Sequence, residues 1–259
     1  MGPSPPSLEA IEALDVAYAR FNSQRSLRLA DPELTVHDVR GLTVLHDPAR
    51  PQDETYNRVV GLNGARLDAI DAALEVLGDV QPQLDVAVDR MDPLLCGALT
   101  ERGLGPSQTV CWLWGDPAQL DVASVDGVSV RRLDGEADLL LDLIGRTAPV
   151  PFGPEIRAKR ARHYCTDGFR AYVASVNGEP VGWATLWIHE GVGLLGNAFV
   201  YAPHRRRGAH RALHAARARE ARALGLAWVV TDVLPESASH RNALRAGMQR
   251  RTSYVWWRR

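Results

Sequence analysis

Residues 204–213 read H-R-R-R-G-A-H-R-A-L, three consecutive arginines followed by a glycine and the start of an amphipathic run. Ala209, Ala212, Leu213, Ala216 and Leu224 fall on one side of that run at helical spacing. A helix start offers unpaired backbone N–H groups and a partial positive charge. A glycine there lets a ligand come close to the backbone, and flanking guanidinium groups add charge-assisted hydrogen bonds. Arg205, Arg206, Arg207, Gly208, Ala209, His210 and Arg211 therefore form a candidate pyrophosphate cradle. Taken alone, the same residues suit a solvated basic helix start better.

Other groups that could do chemistry are weaker. His210 and His214 stand four apart on the same helix and could share a metal ion, but there is no H-E-x-x-H and no evident third ligand. No metal is expected. Cys96, Cys111 and Cys165 are odd in number, with no C-x-x-C spacing, and are expected to be reduced thiols, buried or incidental. The run Arg157 to His163 is expected to be a solvated basic face. Trp256-Trp257-Arg258-Arg259 could stack on nucleic acid, but a final edge strand with buried tryptophans explains it more simply.

Composition excludes several classes of function. The formal net charge of the 259 residues is -1, so no global field attracts nucleic acid or a membrane surface. No apolar run reaches membrane-spanning length. The stretch Met1 to Ser7 lacks the basic and apolar regions of a signal peptide, and a cytoplasmic protein is expected.

The elements that must position the cradle can be read from periodicity and turn residues. A first helix is expected after Ser7, with Ile11, Leu14, Tyr18 and Phe21 on one face. A strand at Leu42 to Leu45, an apolar segment Tyr56 to Leu62 and a helix between Asn63-Gly64 and Gly78 follow. Then come a strand at Leu84 to Val88, a helix opened by Asp92-Pro93 and closed by Gly103, and a strand at Thr109 to Trp114. Gly115 to Gly127 reads as weakly structured and marks a boundary between residues 1–124 and 125–259. Beyond it, a strand at Ser129 to Leu133 precedes helices at Glu136 to Arg146 and Pro154 to Tyr164. A hairpin turns at Asn177-Gly178, and a strand is expected over Leu194 to Val200, just before the cradle. After the cradle helix, closed by Gly225, a strand, a helix from Ser237 to Ala246 and a last strand from Met248 complete the pattern. The order helix, glycine, strand, helix, glycine, strand occurs twice, from Gly64 and again from Gly208, which suggests a duplicated α/β unit.

The cradle and its surroundings resemble the GNAT N-acetyltransferases. Arg205-x-x-Gly208 fits their coenzyme A loop, Q/R-x-x-G-x-G/A, except that His210 stands where a small residue is usual. Ala198-Phe199-Val200 occupies the strand that pairs with the pantetheine amides in the family, and the segment from Ser237 to Met248 is similar to its S-x-x-x-N…G-F stretch, placing Asn242 near the cofactor. The likeness covers Val128 to Arg259. It implies an α/β fold (an α+β mixed sheet) of two tandem GNAT-like domains, each a central mixed β-sheet flanked by helices. Residues 1–124 would be a degenerate copy, because Leu62 to Arg66 lacks arginines before its glycine.

The resemblance further implies direct attack of an amine on acetyl-CoA, most simply a small-molecule amine, with no metal, nucleic acid or membrane partner. A coenzyme A-binding protein without catalysis and a protein-directed acetyltransferase are the alternatives. Backbone N–H groups near Phe199 and Val200 would serve the oxyanion. The family's tyrosine acid is replaced by Ala243, and Leu194 to Val200 carries no carboxylate. Glu190, Asp232 and Tyr201 are the remaining catalytic candidates. The acceptor is expected to meet the stretch from Pro149 to Gly153 and the first domain.

Overall fold

A computed structural model describes residues 4–28, 31–147 and 152–259. Helix α1 (Leu8–Gln24) starts at Ser7, whose hydroxyl accepts from the Ala10 N–H and so satisfies one of the unpaired helix donors. Strands β1 (Thr35–Val39), β2 (Leu42–His46) and β3 (Arg58–Val60) follow. After a 3₁₀ segment come α2 (Ile70–Leu77), ended by Gly78 at φ 59°, β4 (Gln83–Ala87), α3 (Pro93–Glu101), capped by Asp92, and β5 (Gly105–Gly115). The chain continues through β6 (Ser129–Leu133), α4 (Ala137–Gly145), α5 (Pro154–Arg160), β7 (Phe169–Val176), β8 (Glu179–His189), β9 (Val192–Leu194) and β10 (Phe199–Val200). It ends with α6 (Ala209–Ala223), β11 (Val229–Val233), α7 (Ala238–Arg245) and β12 (Gln249–Arg258). No helix of the described residues is long and apolar enough to cross a membrane.

The chain divides into two compact units that are not consecutive stretches of sequence. The larger contains Trp112–Arg251; the smaller contains Ser7–Cys111 together with Thr252–Arg259. The passage from one to the other falls inside β5 and again inside β12.

In the smaller unit β1, β2 and β3 are antiparallel neighbours, β3 runs parallel to β4, and residues 254–257 of β12 pair antiparallel with 84–87 of β4. The other side of β12 faces β5, where the Ser107 hydroxyl donates to the Trp256 carbonyl. The last strand is therefore interior, not the edge expected from sequence; Trp257 is buried in the same core as Leu84, Leu95 and Leu99. A polar chain also lies inside this unit: Arg58 bridges Asp15 at 2.7 Å and Asp85 at 2.8 Å, and the Gln83 amide donates to Asp85 at 2.6 Å.

In the larger unit the strand order is β11-β9-β8-β7-β6, antiparallel except for the parallel β9–β11 pair. The β7–β8 hairpin turns at Asn177 and Gly178, both with positive φ (50° and 83°), as a two-residue turn matching the strand twist requires. Helix α6 packs its alanine-rich side on β6, β7 and β8, and α4 packs on β8. The segment Gly115 to Gly127, expected to be a loose boundary, is strapped to α6. Arg222 donates to the carbonyls of Pro117, Ala118 and Leu120, and Arg219 donates to that of Val122 at 2.5 Å.

The strand expected over Leu194 to Val200 is two strands. Leu194 lies opposite Trp187 on β8, and Phe199 lies opposite Trp183. Four residues of one strand thus face three of the other, which is a β-bulge with one extra residue. Asn197 within it takes φ 47°, and the Gly196 carbonyl accepts from Thr185 N–H at 3.2 Å. Up to Leu195 the strand stays bound to β11, with Leu195 N–H donating to Val230 carbonyl at 2.8 Å; β10 pairs with β8 instead. The bulge therefore parts β10 from β11.

Candidate functional site

The wedge between β10 and β11 leads directly into the arginine-glycine loop and α6. Tyr201 N–H donates to Val181 carbonyl at 3.0 Å, so residues 199 and 201 direct their backbone groups at β8. By the alternation of an antiparallel ladder, Val200 directs its N–H and C=O to the other side, into the wedge. β10 can lie this close only because Gly182 is opposite: a Cβ there would come within 2.5 Å of the Phe199 carbonyl oxygen.

The loop after β10 passes twice through the left-handed region. Arg206 has φ 64° and Gly208, immediately before α6, has φ 84°. Alternation of ordinary and left-handed residues gathers successive N–H groups into an anion-binding concavity. Gly208 is tied to glycine for a second reason: a Cβ would sit 2.5 Å from Val125 Cγ1. Arg205, Arg206, Arg207 and Arg211 are all exposed around this loop. Arg205 is partly committed, since its Nε donates to the Val200 carbonyl at 3.0 Å and its guanidinium lies 5.6 Å from the Phe199 ring centre. It binds together the loop and the strand edge.

Behind the loop, α6 meets α7. Asn242 Nδ2 lies 3.2 Å from His210 Nδ1, and Ser239 Oγ lies 3.4 Å from His210 Nε2. The amide donates to Nδ1, which leaves the proton on Nε2. His210, where the family pattern has a small residue, thus occupies the α6–α7 interface. One turn on, His214 Nε2 lies 3.4 Å from Met248 Sδ. Burial, with a smaller contribution from Arg217, lowers the His210 pKa to about 4 and that of His214 to about 3. Among the described residues no group of three His, Cys, Asp or Glu side chains could hold a metal ion.

The three candidate catalytic groups are spread apart. Tyr201 donates its hydroxyl to the Leu143 carbonyl at 3.0 Å and stands edge-on to Phe199, so it is at the wedge; burial raises its pKa. Asp232 is on β11, three and two residues beyond the pairs that join β11 to β9, at the level where the strands part, and it is exposed. Glu190 forms the β8–β9 turn at φ 48°, with an exposed side chain 4.0 Å from His189. It lies seven residues along β8 from Trp183, roughly 20 Å at the rise of a strand. The structure does not bring Glu190 to the wedge. Ala243, at the place of the family's tyrosine, is buried. Of the acceptor stretch, Pro149 to Pro151 lie outside the described residues.

Sequence reasoning missed three residues here. Gly182 gives no signal, being one glycine within a strand. Thr185 is equally silent, although its N–H and hydroxyl both bind the bulge carbonyl. Arg217 had a signal: it interrupts the small apolar stripe of α6, and is only 2% exposed.

The corresponding turn of the smaller unit is built differently. After Asn63 the chain enters a 3₁₀ segment with a non-helical Arg66, not an α-helix. A Cβ on Gly64 would meet the Asp92 carboxylate at 2.3 Å. An acidic group against the glycine opposes anion binding.

Residues 138–248 match the acetyltransferase (GNAT) family. The matched residues include the loop and both parted strands. Among solved structures, a GCN5-related N-acetyltransferase from Kribbella flavida is 19% identical, over 93% of this chain and 94% of that one, with a TM-score of 0.61. A tandem GNAT protein from the clavulanic acid biosynthesis pathway is 18% identical, over 100% of this chain and 90% of that one, with a TM-score of 0.60. A functionally unknown conserved protein from Staphylococcus epidermidis is 16% identical, over 88% and 94%, with a TM-score of 0.61. At these identities the likeness establishes the fold, which is that of a tandem GNAT protein. No curated protein matches the sequence.

Proposed function

We propose that the larger unit binds acetyl-CoA and transfers its acetyl group to the amine of a small molecule. The observation that carries this reading is the turned loop from Arg205 to Gly208, its donors gathered at the start of α6, opening onto the parted strand edge at Val200. The pyrophosphate would lie on the N–H groups of residues 206–210, with Arg205, Arg206, Arg207 and Arg211 around it. The pantetheine amides would pair with Ala198 to Val200, and Asn242 would support the loop from α7 through His210.

In the reaction the amine nitrogen attacks the thioester carbon, and the carbonyl oxygen takes up negative charge. The Val200 N–H, directed into the wedge, is the donor placed to receive it. Collapse forms the amide and releases coenzyme A. The amine proton leaves to Asp232 through solvent, and Tyr201, whose phenol stays protonated, is the acid nearest the strand edge. The smaller unit binds no coenzyme A in this reading, because Asp92 stands against Gly64.

A second reading, a coenzyme A-binding protein without catalysis, is favoured by one observation: the family's acid position is a buried alanine, Ala243. Calorimetric titration with acetyl-CoA, followed by a thiol-release screen over a panel of amines, separates the two. Binding at one site per chain with thiol release supports transfer; binding without release on any amine, polyamine or lysine peptide favours the second. Arg205→Ala/Arg207→Ala should weaken acetyl-CoA binding about 10- to 100-fold, the scale of two charge-assisted contacts. A folded double variant with unchanged affinity would remove the pyrophosphate assignment.

A further inference from the structure

Arg217 lies in the middle of α6, is 2% exposed, and among the described residues pairs with no carboxylate. Glu220, one turn away, is engaged by Arg170 and Arg132. A buried guanidinium without a counter-charge is costly unless its donors are satisfied. Here Nε donates to the Leu213 carbonyl of its own helix at 3.1 Å, and Nη1 donates to the carbonyls of Thr185 at 3.1 Å and Gly196 at 3.3 Å. Gly196 is the bulge residue. Its carbonyl also accepts from Thr185 N–H at 3.2 Å and Thr185 Oγ1 at 3.1 Å, while Asn197 Nδ2 reaches Thr185 Oγ1 at 3.5 Å. Three donors thus converge on one carbonyl at the place where the strand leaves β11.

An uncharged helix face would leave this carbonyl to Thr185 alone. The extra residue of the bulge could then slip one position toward either neighbour, and a slip of one residue reverses which side each backbone group and side chain faces. Val200 would turn its N–H from the wedge to β8. The location matters for the reaction proposed above, because that N–H is the assigned oxyanion donor.

We propose that Arg217 is a positioning residue: from the helix beneath the sheet, its guanidinium pins the Gly196 carbonyl, fixes the register of the bulge, and so keeps the Val200 N–H directed at the acyl thioester. The orienting role rests on the proposed acetyl transfer; the pinning of the bulge does not.

Hydrogen exchange on the full chain, read segment by segment, tests the pinning. In Arg217→Met, amides of 195–201 should exchange at least about tenfold faster while those of β6 and β7 change little, since local opening is independent of the rest of the unit. In Arg217→Lys, which restores a cationic donor, protection of 195–201 should return most of the way. Turnover with the best amine of the panel tests the orienting role. Arg217→Met should lower kcat on the order of 100-fold, as loss of one oxyanion donor does, and raise KM for acetyl-CoA as well, because the same strand edge is proposed to pair with the pantetheine amides; Arg217→Lys should restore both most of the way. Faster exchange spread evenly over the unit, or unchanged exchange and kcat, would overturn the proposal. Should Arg217→Met not fold, Thr185→Val removes one of the three donors and should show the same pattern to a smaller degree; no change at 195–201 there overturns it equally. If the unaltered protein neither binds nor turns over acetyl-CoA, the proposed function fails, while the exchange comparison still decides whether Arg217 holds the bulge.

Discussion

His210 and His214 are both uncharged at neutral pH because burial disfavours their protonated forms. In the unfolded chain each titrates near 6.5, so between that value and their folded values of about 4 and about 3 the unfolded state binds more protons. Their contribution to stability is whole above pH 6.5 and is lost as pH falls toward 4, on the order of 3 kcal/mol each before any relaxation. Asp85 in the smaller unit acts in the opposite sense, since burial raises its pKa to about 6 and its contribution declines as pH rises from 4 to 6. Melting temperatures between pH 7 and 4.5 should therefore fall, and His214→Leu should flatten the decline; an equally steep decline in that variant contradicts the assignment. Gly208→Ala should cost about 1–2 kcal/mol from the left-handed φ alone, with further loss from the approach to Val125. Chemical denaturation would show it. At this scale the sequence was most informative about the loop, because arginine and glycine types at fixed spacing carry their own physics. It was least informative about catalysis. A carboxylate or phenol announces its type but not its place: Glu190 reads as near the loop in sequence, yet strand rise carries it to the far end of β8.

Elements were legible where their ends carry capping residues. Ser7, Asp92 and Ser237 each accept a backbone N–H as N-caps, and Gly78 and Gly225 close helices with positive φ. The strand over Leu194 to Val200 was read as continuous because its apolar residues run on without a break. Gly196-Asn197, a pair suited to an irregular backbone, was the available sign of the bulge. The edge assignment of the last strand failed for another reason: its partner β4 is far away in sequence, and no local pattern reports which strand lies beside it. The close approach of β10 to β8 yields a prediction at this scale. Gly182→Ala would press a methyl group on the Phe199 carbonyl, a backbone atom with nowhere to yield. A loss of about 1–3 kcal/mol is expected, with acetyl-CoA affinity falling more than stability explains. A titration in which Gly182→Ala binds as tightly as the unaltered chain would show that β10 does not present the donor edge.

At the scale of the whole molecule, the smaller unit is assembled from two stretches of the chain that are far apart in sequence. Cutting between residues 124 and 125 divides the sequence where its loops suggest, yet leaves the first fragment without Thr252–Arg259 and the second without residues 112–124 of the larger unit. Expressed alone, residues 1–124 should be poorly soluble or should lack cooperative melting. Adding the 252–259 segment through a flexible linker should improve both, and a fragment 1–124 that melts cooperatively without it would contradict this. The same arrangement constrains how the protein is made. The smaller unit begins at Ser7, but the strand that lies between β4 and β5 leaves the ribosome only after the whole larger unit has been synthesised. Cys111 and Thr252 are about 140 residues apart, on the order of ten seconds at ordinary translation rates of ~5–20 residues per second. During that interval β4 and β5 have been made and the strand that joins them has not, so the first unit begun is the last to be finished.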